Sequence, residues 1–243
     1  MGFKLVEVPF PYTVDVDDLK KEAEKYNLKH VLINAPPGNF EAGDRGLAAK
    51  ILISHANDRF NQSLNTAIKY AKALSSPRIN GHSIIHVMAG IVKQYERSTY
   101  DIYVKNIRIA AEKFAKEGIE CLIEPINNHT IPGYFLRNLG QAAQVLDEVK
   151  SPNLKILYDV FHIQQIHGQL SWTISEYASK IGHIQVAQVP KRTEPDTEGE
   201  IDYTYIFKLL KQNNPDWIIG CEYINSGEMK EFVEWVHKYG LEF

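Results

Sequence analysis

A chain of 243 residues, with 44% hydrophobic and 23% charged side chains and a formal net charge of -3, can bury one large core and has no electrostatic pull toward nucleic acid. No apolar stretch approaches the roughly 20 residues that span a bilayer, and the N-terminus shows neither a secretory leader pattern nor a myristoylation motif. The two cysteines, Cys121 and Cys221, fall inside strand-like segments, where a small buried thiol is expected rather than a disulfide or metal ligand. That usage suits a reducing cytosol.

In chain order, residues 3–8 predict a strand and residues 15–26 a charged helix with acidic groups in its first turn. A strand over 30–34 follows, then a loop rich in Pro and Gly. Next comes a helix whose Phe60, Leu64, Ala67, Ile68, Ala71 and Leu74 recur at spacings of three and four. Residues 83–88 read as a strand. Val104, Ile107, Ala111 and Phe114 mark a helix that Gly118 stops, before a strand over 119–126. Helices over 134–150, 171–180 and 202–212 alternate with strands over 154–159, 183–189 and 217–223, and Ser226 is placed to cap a last helix.

Strands alternating with helices over this length predict a single α/β domain over residues 1–243, a parallel TIM (β/α)8-type barrel rather than a Rossmann sheet. No G-x-G-x-x-G follows the first strand and no Walker sequence occurs, so no nucleotide cofactor is expected. The count, however, is seven strand–helix units. A seven-strand cylinder leaves unpaired edges or a strained closure, which makes self-association into an oligomer one expected outcome.

The polar residues that matter stand at strand ends: Glu124, Asp159 with His162 three residues on, Gln185 and Glu222. One Glu after a strand is usually a solvated loop residue or a cap. Four such ends in consecutive strands suggest a reaction centre, because a barrel brings its C-terminal strand ends to one mouth.

The segments Asn34-Ala-Pro-Pro-Gly-Asn-Phe-Glu-Ala-Gly-Asp-Arg-Gly46, His86-Val-Met-Ala-Gly90, Ile123-Glu-Pro-Ile-Asn127, Ile131-Pro-Gly133, Ser151-Pro-Asn-Leu-Lys155, Tyr158-Asp159 to His162, Ile181-Gly-His-Ile-Gln185, Gly199-Glu-Ile-Asp-Tyr203 and Gly220-Cys-Glu-Tyr223 resemble the hydroxypyruvate isomerase family, in order and over nearly the whole chain. The resemblance implies a xylose isomerase-like TIM barrel that interconverts hydroxypyruvate and tartronate semialdehyde. It also implies two departures. Family members begin one βα unit earlier, so this chain reads as an incomplete barrel, and residues around Asn80 and Gly81 look inserted.

Moving a carbonyl to the adjacent carbon requires removing an α proton, holding an enediolate and returning a proton next door, which two carboxylates can do. The resemblance assigns Glu124 and Glu222 those acceptor and donor roles. Glu124, Asp159, Gln185 and Glu222 supply four oxygens, a hard set that favours Mg2+ or Mn2+ over Zn2+. His162 is expected either to bind a substrate oxygen or to fix Asp159. Arg45 and Arg192, on loops after strands, are the candidates for gripping the substrate carboxylate. Asn34, Asn127 and His86 also lie near strand ends, where an ordinary loop-holding hydrogen bond is the commoner role.

Phe10, Tyr12 and Phe40 could wall the site or fill the barrel rim. Two other classes stand against the isomerase. A metal-dependent endonuclease-like hydrolase needs several His ligands and a basic groove, neither of which is present. A catalytically impaired shortened isoform, acting through association, would keep the site residues but not the stability.

Overall fold

The computed structural model describes residues 2–50, 56–74, 83–227 and 234–241. No described helix is long and apolar enough to cross a membrane. The residues suspected of being inserted, around Asn80 and Gly81, lie outside the described ones. Two compact units divide the chain, one of residues 4–155 and the other of residues 1–3 and 156–243. Seven strands occur among the described residues, every described pairing is parallel, and sheet neighbours follow sequence order within each unit.

The first unit holds β1 (Leu5–Glu7), α1 (Val16–Lys25), β2 (Lys29–Asn34), α2 (Ala56–Ala73), β3 (Ser83–His86), α3 (Arg97–Lys116), β4 (Ile119–Ile123) and α4 (Leu139–Val149). α1 starts where Asp15 turns its carboxylate back to accept from the Asp17 N–H at 2.9 Å. β2 to β4 are apolar on both faces, and Ile33 lies beside Ile85, which lies beside Cys121. Phe60, Leu64, Ala67 and Ala71 of α2 are buried, as are Val104, Ile107, Ala111 and Phe114 of α3. Each large side chain among them contributes about 1.5–3 kcal/mol. The helix expected over 134–150 begins only at Leu139, with Asn138 as its cap, because tertiary bonds claim the preceding backbone. Phe135 N–H donates to the Gly90 carbonyl at 2.9 Å, and the Tyr134 hydroxyl accepts from Ala89 N–H at 2.8 Å.

Two of the sequence segments meet here. Gly46 bridges Ala89 in antiparallel fashion, and Ala49 N–H donates to the Ala89 carbonyl at 2.7 Å. Gly46 has φ +125°, and a Cβ there would lie 2.3 Å from the Met88 carbonyl oxygen. Both backbone conformation and space therefore demand glycine. Gly46→Ala is expected to cost about 3 kcal/mol in urea unfolding; a loss below about 1 kcal/mol would mean that the two loops separate freely.

β5 (Leu154–Asp159) begins in the first unit and ends in the second, which also carries α5 (Val160–Ile166), α6 (Leu170–Tyr177), β6 (Ile181–Val186), α7 (Tyr203–Asn213), β7 (Ile219–Cys221) and α8 (Glu234–Lys238). α5 is absent from the sequence expectation. Asp159 caps it, its Oδ1 accepting from Phe161 N–H at 2.8 Å, so that one residue ends a strand and starts a helix. Cys121 is buried as expected, but Cys221 is exposed. Pleating turns Gly220 inward and Cys221 to the opposite side at the end of a three-residue strand. Ser226 gives both its N–H and its hydroxyl to Glu194, and residues 228–233, between it and α8, lie outside the described ones.

Candidate active site

In the first unit, the strand ends bring Asn34, His86 and Glu124 together. Asn34 closes β2, His86 closes β3, and Glu124 is the first residue after β4. His86 is 2% exposed and Glu124 5%. His86 Nδ1 is 3.1 Å from Asn34 Oδ1 and 3.6 Å from Glu124 Oε2. With its proton on Nδ1, the ring donates to the amide oxygen and faces the carboxylate. Tyr12 donates its hydroxyl to the Asn34 carbonyl. Burial, with the Glu124 charge adding to it, raises the Tyr134 phenol far above its ordinary range, keeping it protonated beside the loop that follows β3. Asn127 has the loop-holding role expected of it: its Oδ1 accepts from His129 N–H at 2.9 Å and Thr130 N–H at 2.8 Å.

Arg45 folds over its own loop. Its Nη1 donates to the Phe40 and Asp44 carbonyls, both at 2.9 Å, and its guanidinium lies 3.7 Å from the centre of the Phe40 ring, which itself meets Phe10. Its Nε and Nη2 have no hydrogen bond among the described residues. Phe10 and Phe40 thus support the arginine, while Tyr12 holds β2.

The second unit gathers Asp159, His162, Gln185, Arg192 and Glu222. Asp159 and Gln185 are register partners on β5 and β6, Gln185 is in turn partner to Gly220, and Glu222 is the first residue after β7. Arg192, at φ +56°, ties these residues together. Its Nη2 lies 3.1 Å from Asp159 Oδ2 and 3.0 Å from Glu222 Oε2, and its Nε donates to the Glu222 carbonyl at 3.2 Å. Its Nη1 is 3.1 Å from His162 Nε2, and its plane covers Phe161. Arginine has only donors, so Nε2 must accept and His162 is neutral with its proton on Nδ1. Burial lowers the His162 pKa, the Asp159 charge opposes that, Arg192 reinforces it, and the result is a value of about 4.

The lowered His162 pKa makes stability depend on pH. The unfolded chain takes a proton on this residue near 6.5, whereas the fold refuses it until about 4. The unfolded state therefore binds more protons between those values, and stability falls as pH drops through the window, by about 3 kcal/mol in all. Urea titrations at pH 7 and pH 4.5 on the native chain and on His162→Asn should show the acid loss shrinking in the variant. Equal losses in both would assign the effect to other groups.

The loop carrying Arg192 is held by residues that sequence reasoning missed. Gln188, 2% exposed, accepts from the Val189 and Ile201 N–H groups, both at 3.0 Å, and its amide donates to the Pro195, Thr197 and Ile201 carbonyls. Tyr203 braces the same loop through both backbone groups of Ala187. The sequence holds one trace of this: Gly199, where a Cβ would stand 2.3 Å from the Val189 carbonyl oxygen. Glu194, 3% exposed, was missed as well.

Asp159, Gln185 and Glu222 offer oxygen donors, the type that hard divalent ions take, and the cation that Asp159 and Glu222 share among the described residues is Arg192.

Comparison with known proteins gives the family. The family model described as xylose isomerase-like TIM barrel matches residues 1–239. A Caenorhabditis elegans protein, named provisionally as a hydroxypyruvate isomerase, is 48% identical over all of this chain and 88% of its own length. The hydroxypyruvate isomerase of Escherichia coli K12 is 39% identical, covering 98% of this chain and 89% of its own. A Cupriavidus necator 2-oxo-tetronate isomerase is 35% identical, with coverages of 98% and 88%. A crystal structure titled AP endonuclease, family 2, from Brucella melitensis superposes with a TM-score of 0.90 at 36% identity, covering 98% of this chain and 89% of that one. The chain belongs to the xylose isomerase-like TIM barrel family. The expected fold class and the seven strands are both met, and the curated relatives are isomerases by name.

Proposed function

We propose that this protein interconverts hydroxypyruvate and tartronate semialdehyde by proton transfer through an enediolate. One observation carries the reading: a glutamate stands immediately past the end of β4 and another immediately past the end of β7, in a chain whose relatives are isomerases by name. In this reading Glu124 and Glu222 serve one reaction as proton acceptor and donor. One takes the proton from C3 of hydroxypyruvate and the other delivers a proton to C2. The C3 hydroxyl proton passes to the C2 oxygen, which completes the exchange of carbonyl and alcohol.

Asn34 orients the His86 ring, whose Nδ1 faces the Glu124 carboxylate at 3.6 Å. His162, neutral at working pH, serves as a hydrogen-bonding group rather than a charge. Carboxylate recognition falls to Arg45, which keeps donors to spare, while Arg192 stays between Asp159 and Glu222. Glu124, Asp159, Gln185 and Glu222 would hold Mg2+ or Mn2+, and such an ion supplies electrophilic stabilisation of the enediolate when bound. The protein works as one domain in the cytosol on a small hydroxy-carbonyl acid, without nucleic acid or membrane.

The test is NMR of hydroxypyruvate incubated with the protein in 2H2O, with and without added Mg2+ or Mn2+, and 2-oxo-tetronate run in parallel. Tartronate semialdehyde carrying deuterium at C2 is the expected product. Turnover of 2-oxo-tetronate alone would move the assignment to that four-carbon acid, and silence on both would overturn the reading.

A further inference from the structure

We propose that Glu194 is a positioning residue that clamps the segment bearing Glu222 and Arg192. The role rests on the isomerase reading of Glu222. β7 is only three residues long, and Glu222, its side chain 41% exposed, lies just past its end, where its N–H donates to the Val186 carbonyl at 3.3 Å. A catalytic carboxylate so placed needs a second support.

The support is a ladder of alternate residues. The Glu222 carbonyl accepts from Arg192 Nε at 3.2 Å, Ile224 N–H donates to the Arg192 carbonyl at 2.7 Å, and Ser226 donates twice to Glu194. Its N–H reaches Oε1 at 2.9 Å and its hydroxyl reaches Oε2 at 2.6 Å. Two oxygens on one side chain are what these two donors require. Glu194 is itself mounted firmly, its carbonyl accepting from Thr197 N–H at 3.1 Å and from the Thr197 hydroxyl at 2.7 Å, on the loop that Gln188 organises.

The chemistry of the clamp is uneconomical for mere loop packing. Glu194 is 3% exposed, and no Lys or Arg among the described residues pairs with it. Burial works to raise its pKa, and the Ser226 bonds outweigh that to lower it, so the carboxylate stays charged on hydrogen bonds alone. Such a group fixes the path of residues 222–226 against Arg192, and with it where the Glu222 carboxylate stands.

The experiment compares the native chain with Glu194→Ala, Glu194→Gln, Ser226→Ala and the double variant Glu194→Ala/Ser226→Ala. Glu194→Ala is expected to lower kcat on hydroxypyruvate about 10- to 100-fold with KM moved less than about threefold. The double variant should be no worse than Glu194→Ala, because the pair acts as a unit. Glu194→Gln should recover most of kcat, since its amide oxygen still accepts the Ser226 N–H and its NH2 can donate to the hydroxyl. A packing role would instead lower the melting temperature and leave kcat per folded molecule unchanged, which would overturn the proposal.

Amide hydrogen exchange at Ile224 and Ser226 supplies a readout independent of turnover. Protection lost in Glu194→Ala supports the clamp, and protection retained overturns it. If the native chain does not isomerise hydroxypyruvate, the functional reading fails while exchange still decides the clamp.

Discussion

Glu124→Gln is expected to lower hydroxypyruvate isomerisation by about 10³- to 10⁴-fold while leaving the fold intact, and Glu222→Gln to do the same. The amide keeps the volume and hydrogen-bonding shape of the carboxylate but cannot carry a proton between carbons. Glu124 is nearly enclosed, with His86 Nδ1 3.6 Å from its Oε2, so the amide can sit where the carboxylate sits. Steady-state kinetics with purified variants, paired with urea unfolding, would check the result. Because an acid and a base of one shuttle act together, the double variant should fall little below the worse single one. A Glu124→Gln protein within tenfold of the native rate would remove that residue from proton transfer.

The second large effect concerns Arg192, whose loss strikes stability and rate together. Asp159 is 1% exposed and shares the Arg192 guanidinium with Glu222. Arg192→Ala leaves that buried carboxylate without its cation and frees the Glu222 carbonyl and His162 Nε2 as well. The expected cost is about 3 kcal/mol in urea unfolding, with kcat lowered about 100-fold. Arg192→Lys separates charge from geometry. An ammonium can face one carboxylate but cannot span Asp159, Glu222 and His162 from one plane, so stability should return in part and kcat should stay low. A lysine variant with native kcat would show that the positive charge alone suffices.

The alternation of strands and helices was legible along the chain because it depends on neighbours three, four or two residues apart. β5 falls where its apolar run predicts, and α1 and α7 start at the residues after Asp15 and Asp202, each of which caps its helix. The positions of Glu124, Asp159, Gln185 and Glu222 were legible for the same reason: each stands at or next to the end of an apolar run, and a parallel sheet buries such runs. Element boundaries were less so. β3 ends at His86 and α4 waits until Leu139, since the loops that follow β3 and β4 bond to each other instead of extending their elements.

The repeating architecture, the family and the residue types offered at each strand end can thus be read along the chain. What those residues do to one another depends on contacts made through space. Asp159 caps α5, His162 accepts from Arg192, and Arg192 lies between two carboxylates rather than on the surface. Glu194 meets Ser226 across 32 residues of chain, and Arg192 meets the Glu222 carbonyl across 30. Periodicity reports which face of an element is apolar over a few residues. A hydrogen bond between two loops leaves no periodic trace, because it depends on where the sheet delivers their backbones.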